Sequence, residues 1–255
     1  MKIESLYRYP VKGLTPERLA SATLAPGRCI PFDRAFALAH GDSPLDPANP
    51  AWVQKVNFLC LAKNPAAARL RTKFDEATAL LTIHDPLGDD LVASPFTAEG
   101  AAAFTSYLTA FLGPEARYGA DGKPPHFHHF PQHSFCDHKT QVISLIGHGS
   151  LAALEEAVGA PREKLRFRAN IYIKGAEPWA EFDLLGKILA IGDVRLIVQE
   201  RIDRCPATMV NPETAEKDAN PVKELRQHFG HIDMGVFAEV LEGGFIADGD
   251  EIKVL

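Results

Sequence analysis

The chain has 255 residues, 46% hydrophobic and 24% charged, and a formal net charge of −6 from 27 Lys+Arg against 33 Asp+Glu. That composition excludes wholesale disorder, collagen and coiled coil, and the acidic balance argues against a general nucleic-acid binder, which needs a basic excess. No apolar run reaches the roughly 18 residues that span a bilayer. Met1–Leu14 lacks the apolar stretch of a signal peptide, and the cysteines at 29, 60, 136 and 205 include no C-x-x-C pair, so a reduced, cytoplasmic setting is expected.

In chain order, Met1–Arg8 alternates around Ile3 and Leu6 and stops at Pro10; Leu19–Leu24 repeats the rhythm; Arg34–His40 (RAFALAH) is a short apolar run. All three predict strands. Gly41–Pro50, dense in Asp and Pro, predicts a loop, and Trp52–Leu61 fits strand or helix. Ala68–Phe74 and Ala77–His84 flank Asp75 and Glu76 and predict a hairpin. Thr97–Leu112 sets Phe104, Leu108, Phe111 and Leu112 at helical spacing before Gly113-Pro114. Residues 114–138 carry Gly, Pro and His and predict a linker or surface loop.

Beyond that loop come a strand at Gln141–Ile146 and a helix at Ser150–Val158, with Ser150 as N-cap and Gly159 and Pro161 past its end. Strands follow at Ala169–Lys174, Ile188–Ile191 and Val194–Arg201, then a short helix at Pro221–Phe229 and strands at Met234–Leu241 and Glu251–Leu255. The expected fold is β-rich α+β: an N-terminal β-barrel-like domain over residues 1–118 and a second β-barrel over 119–255, with helices outside.

Several chemistries lack their signatures. There is no G-x-x-x-x-G-K-[ST], no G-x-S-x-G and no H-E-x-x-H, and Gly147–Ser150 (GHGS) sets its serine one residue out of frame. His126, His128, His129, His133, Cys136 and His138 are metal-ligand types, but their spacing fits no structural zinc pattern and Phe127, Phe130 and Phe135 interleave with them. A solvated loop is the plainer reading.

Cys205, in ERIDRCPATMVNPET, sits where the chain leaves the strand Val194–Arg201. Arg204 and Arg201 precede it, and guanidinium neighbours favour the thiolate, a nucleophile and soft metal ligand. A cysteine at a strand end serves structure as readily, so both readings stay open here. In RFRAN, alternation puts Arg166 and Arg168 on one side of an extended segment; two guanidinium forks and the Asn170 amide suit a phosphate-bearing ligand with ring heteroatoms. The other reading is an edge strand guarded by charge. In YPVKGL, Lys12 follows a Pro-bounded strand end, Gly13 permits close backbone approach, and Arg34 of FDRAF is placed to join it.

These pieces occur together, in this order, in one family. The chain resembles the MOSC-domain proteins in the form with an N-terminal MOSC β-barrel, a group that includes the mitochondrial amidoxime-reducing component, a related bacterial reductase and the C-terminal part of molybdenum cofactor sulfurase. YPVKGL, FDRAF, Asp137–Leu151, RFRAN, DRCPATMVNPET and the closing GVFAEVLEGGFIADGDEIKVL carry the likeness over nearly the whole chain. It departs from the family at Gly13, where Ser is usual, at Ala169, where Pro is usual, and at Ala215, where Gly is usual.

The resemblance implies a molybdenum cofactor, the metal held by the dithiolene of a phosphate-bearing molybdopterin. Cys205 would be the catalytic residue and the protein's thiolate ligand to the metal. Arg168 and Asn170 would hold the pterin, Lys12, Arg34 and Arg204 the phosphate end, and Ser150, at a helix start, would offer its hydroxyl to an anion. The implied activity is reduction of an N–O or S–O bond in a small-molecule substrate, with protons from His138 or a neighbouring histidine. Electrons would come from a separate iron–sulfur or flavin protein. The alternatives are a non-catalytic carrier of cofactor or persulfide sulfur, and a binding module for another phosphorylated ligand.

Overall fold

In the computed structural model, which describes residues 1–255, the first strand already crosses to the far half of the chain. β1 (Lys2–Arg8) pairs on one side with β2 (Glu17–Leu19) and on the other with residues 171–174. β3 (Ser21–Leu24) and β4 (Phe36–Ala39) follow, then the antiparallel run β5 (Arg71–Asp75), β6 (Leu80–His84) and β7 (Leu91–Ala93). Thr97 caps α1 (Ala98–Leu112), its side chain accepting from Gly100 N–H.

The second half runs β8 (His126–His129), β9 (Ile143–Gly147), α2 (His148–Val158) and β10 (Ile171–Lys174). It continues through β11 (Ile188–Ile191), β12 (Val194–Asp203), α3 (Pro221–Phe229), β13 (Asp233–Glu242), β14 (Gly244–Ala247) and β15 (Lys253–Val254). The fold is β-rich α+β, as the patterning predicts.

The largest sheet has the order β15-β11-β12-β13-β9-β10-β1-β2. Its one parallel pair, β9 with β10, is joined through α2, the crossover that parallel strands require. The sheet curls into a half-barrel, and a bridge between Lys2 and Glu251 brings the chain entering β15 back against β1. Ile3, Leu6, Leu145, Leu196 and Val236 fill the inside. α2 and α3 cover the outside over Tyr9, Leu154, Phe167, Tyr172 and Leu225. A second core, with Phe36, Phe74, Phe104 and Phe127, lies among β4, β8, the β5–β7 sheet and α1.

Several expectations need correction. Part of 114–138 is a strand: β8 pairs with β4, with Phe127 buried on one face and His126 and half-buried His128 on the other, so the His/Phe alternation is a period-two pattern. Leu19–Leu24 breaks at Ala20 into β2, in the large sheet, and β3, which pairs with β14. Trp52–Leu61 forms neither a strand nor an α-helix: it holds a 3-10 turn at Lys55–Asn57 and a bridge from Phe58 to Ala39. Arg166 and Arg168 do not share an extended strand: Lys164–Phe167 is a 3-10 turn and Arg168 is left-handed, with φ 53°.

Candidate functional site

Segments from both halves of the chain meet where β12 ends. Cys205 follows Asp203 by two residues, at the start of a 3-10 turn over Pro206–Met209. The backbone N–H and hydroxyl of Thr208 both donate to the Cys205 carbonyl, at 3.0 and 2.9 Å, and fix the turn that carries the thiol. The thiol is partly exposed; Arg204 beside it is buried. Its Nη1 donates to the Phe167 carbonyl at 2.9 Å and its Nη2 to the Met234 carbonyl, while its Nε–H is buried without any partner. Burial pushes the Arg204 pKa down to about 10. Gly235, at φ 81°, admits this guanidinium: a Cβ there would lie 3.3 Å from Arg204 Nη2 and collide with the Leu145 carbonyl.

Opposite stand Arg34 and Arg168, delivered by two left-handed residues at φ 50° and 53°. Arg34 Nη1 donates to both carboxylate oxygens of Asp33, at 2.7 and 2.6 Å, and its Nη2 donates to the Arg168 carbonyl at 3.0 Å. Arg168 Nη1 donates to the Leu14 carbonyl at 2.6 Å. Both guanidinium carbons lie close to the Tyr9 ring, 4.2 and 4.3 Å from its centroid. Burial, then the neighbouring Arg34, pushes Arg168 down to about 10; for Arg34 burial acts the same way but Asp33 outweighs it, holding Arg34 above its ordinary value.

The cleft continues past Lys12, whose ammonium donates to the Phe135 carbonyl at 2.7 Å and pairs with Asp137. Desolvation works against ionisation of Asp137, but Lys12, Lys55 and Arg34 hold its carboxyl at about 2. Lys55 reaches in from the 3-10 turn at Lys55–Asn57 and lines the cleft together with Cys205; burial would lower its pKa, but Cys205 and Asp137 raise it. Cys136 also lines the cleft; the Cys29 thiol beside it, aided by Arg34 and Lys12, pulls its pKa down.

The structure therefore brings together Lys12, Arg34, Arg168, Arg204 and Cys205. Asn170 also reaches the cleft wall, but its amide is mostly committed: Oδ1 accepts from Ser144 N–H and Oγ–H at 3.1 and 2.9 Å, and Nδ2 donates to the Tyr7 carbonyl at 3.2 Å. Arg166 lines the cleft with its donors spent on Glu163, Asp218 and the Met209 carbonyl.

Ser150 lies elsewhere. Gly147, not Ser150, is the N-cap of α2, and the Ser150 hydroxyl, fully buried, donates to Glu181 Oε2 at 2.7 Å and accepts from Trp179 N–H at 2.8 Å. A protein carboxylate thus already occupies this helix start, which disposes of the expected anion contact. His138 is tied to Glu200 and Thr140 and does not line the cleft. Nor does Gly13 leave room for a serine: at φ 84°, a Cβ there would collide with the Leu59 carbonyl and side chain.

The sequence assigns no role to Lys55 or Asp137, and marks Cys136 only as a metal-ligand type among the histidines. Asp137 and Cys136 sit in a stretch that is chemically conspicuous for its histidines, whereas a lone lysine in an aperiodic segment carries no signal. Size does not locate the site either. A larger hollow of about 390 Å³, against about 150 Å³ for the cleft, lies between Arg28 and His133, but its one arginine is spent on Gln132.

Fold and cleft together define a β-rich α+β protein with a cationic groove around a partly exposed cysteine. The chain belongs to the MOSC-domain family: residues 1–113 match the MOSC N-terminal beta barrel domain and residues 126–253 the MOSC domain. MOSC domains are associated with molybdenum-cofactor-binding proteins. Among solved structures the chain is similar to the YUAD protein from Bacillus subtilis, at 16% identity and TM-score 0.45 over 99% of this chain and 94% of that one. It is also similar to YiiM from Geobacillus stearothermophilus, at 22% identity and TM-score 0.34 over 44% of this chain and 53% of that one. Among curated proteins, none matches. No helix is long and apolar enough to cross a membrane.

Proposed function

We propose that this protein holds a molybdenum cofactor in the cleft and reduces N–O or S–O bonds of small substrates there. The observation that carries the reading is the convergence of cations from both halves of the chain on one partly exposed thiol, with a buried Arg204 N–H left unpaired beneath it. The donor set fits the group. Cys205 offers the soft sulfur that molybdenum accepts; Arg34 and Lys12, joined by Arg168, which the resemblance sets on the pterin instead, offer charge-assisted donors for a phosphate; Arg204, which the resemblance sets at the phosphate end, has its Nε–H free to donate to a ring heteroatom.

When bound, the cofactor supplies two-electron chemistry at an open coordination position. The chain does the rest. Arg34 and Arg168 keep their orientation through Asp33 and the Leu14 carbonyl, so the anionic end of a ligand meets donors that need little reordering. Lys55 Nζ holds a proton beside Cys205, where cleavage of an N–O bond consumes one: an N-hydroxylated amine takes two protons and two electrons to give the amine and water. A separate iron–sulfur or flavin protein is proposed as the electron source.

The test is elemental analysis of protein made in a cofactor-competent host, followed by turnover of a hydroxylamine with chemically reduced viologen. Molybdenum near one per chain with turnover is the expected result. Molybdenum without turnover makes the protein a carrier, and protein without molybdenum ends the cofactor reading.

A further inference from the structure

Tyr9 touches both arginines of the proposed phosphate end, yet nothing in the mechanism above uses it. Its ring is fully buried and held from two sides: its backbone N–H donates to Asp33 Oδ1 at 2.8 Å, and its hydroxyl donates to the Ala169 carbonyl at 3.3 Å. Asp33 is the carboxylate that grips Arg34, and Ala169 directly follows Arg168. The ring is thus fastened to the neighbour of each arginine while the two guanidiniums pack against it, 4.2 and 4.3 Å from the centroid.

Like charges brought this close repel, and in a partly desolvated cleft they are poorly screened. Each arginine also carries a left-handed backbone, which is unfavourable for a non-glycine residue. Strain of this kind persists where the surroundings over-determine it, often at ligand clamps. An aromatic ring attracts a guanidinium through its quadrupole, so one ring contacting both offsets part of their repulsion. Arg34 Nε, Arg168 Nε and Arg168 Nη2 have no protein partner and belong to residues lining the cleft, leaving donors for an incoming anion.

We infer that Tyr9 is a positioning residue whose ring spaces Arg34 and Arg168 as a two-guanidinium seat for the phosphate monoester of the bound cofactor. The identity of that ligand rests on the functional reading above; the seat itself is tested without it.

Inorganic phosphate is titrated calorimetrically into wild-type protein made without cofactor, and into Tyr9→Phe, Tyr9→Leu and Arg168→Lys. Wild type should bind phosphate saturably, and Tyr9→Phe, which keeps the ring, should bind it as tightly. Tyr9→Leu should bind roughly tenfold or more weakly, the scale of one charge-assisted contact. Arg168→Lys, which keeps the charge but loses the planar face, should weaken similarly and decides the matter if Tyr9→Leu does not fold. Unchanged binding in Tyr9→Leu or Arg168→Lys, or a Tyr9→Phe as weak as Tyr9→Leu, overturns the inference. Cofactor-loaded wild type should bind no further phosphate; saturable binding there would give the seat to a free anion and overturn its assignment to the cofactor. Because the cofactor-free titrations contain no molybdenum, their failure is distinct from a failure of the metal analysis.

Discussion

The Ser150 hydroxyl donates to Glu181 Oε2 at 2.7 Å inside the protein, with Glu181 Oε1 3.3 Å from the Gly147 N–H at the start of α2. A carboxylate set at a helix start is well placed against the helix dipole, and here it comes from the chain itself. Burial nevertheless pushes the Glu181 carboxyl up. Ser150→Ala should therefore strip a hydrogen bond from Glu181 and from the Trp179 N–H and cost about 1–3 kcal/mol of stability, while molybdenum content stays at the wild-type level. Urea unfolding alongside metal analysis checks both halves; a variant of normal stability that loses molybdenum would return Ser150 to the cleft.

Cys205 makes no core contact that its removal would open into a cavity, since it is partly exposed and its turn is held through the carbonyl by Thr208. Cys205→Ala should unfold at nearly the wild-type temperature yet show no reductase turnover. Turnover persisting in a variant that still contains molybdenum would remove the thiol from the metal.

How far the sequence carries is visible in these two residues. Cys205 was legible because several signals coincide on it: a strand end, a preceding arginine, a following proline and a family motif. Ser150 misled because its helix begins at His148, with glycine as the cap, and because the carboxylate that claims its hydroxyl lies 31 positions further on, a distance no local pattern spans. The fold shows the same division. β1, β6 and β12 and helix α1 carry strong periodicity. β2, β7 and β14, of three or four residues each, are too short to show a period and exist because a partner strand lies beside them. Lys55 belongs with these: only the path of the loop between β4 and β5 puts it against Cys205.

Ala215 stands where the resemblance leads one to expect glycine, and its φ is 62°. The backbone there has the conformation that glycine adopts most easily. An L-residue in that region costs roughly 1–2 kcal/mol, of which the greater freedom of an unfolded glycine returns about 0.4–1. Ala215→Gly should stabilise the protein by about 0.5–1 kcal/mol net, seen as a raised urea midpoint with an unchanged slope. A lowered midpoint would mean that the Ala215 methyl packs too well to be spared.

Acid should weaken the fold through its histidines. His128, half-buried on β8, is pushed down from 6.5 to about 4, first by burial and then by His126 and Lys123; burial lowers His129 and His133 as well. In the unfolded chain each titrates near its ordinary value of about 6.5. Between that value and about 4 the unfolded state therefore binds more protons than the folded one, and stability falls as pH falls. Above pH 6.5 these groups are neutral in both states and contribute no slope. His128→Gln removes one such proton, so its stability should decline less steeply across the window. Urea midpoints from pH 7.5 to 4.5 give the comparison, and parallel wild-type and variant curves would show that His128 takes up its proton as readily in the folded chain as in the unfolded one.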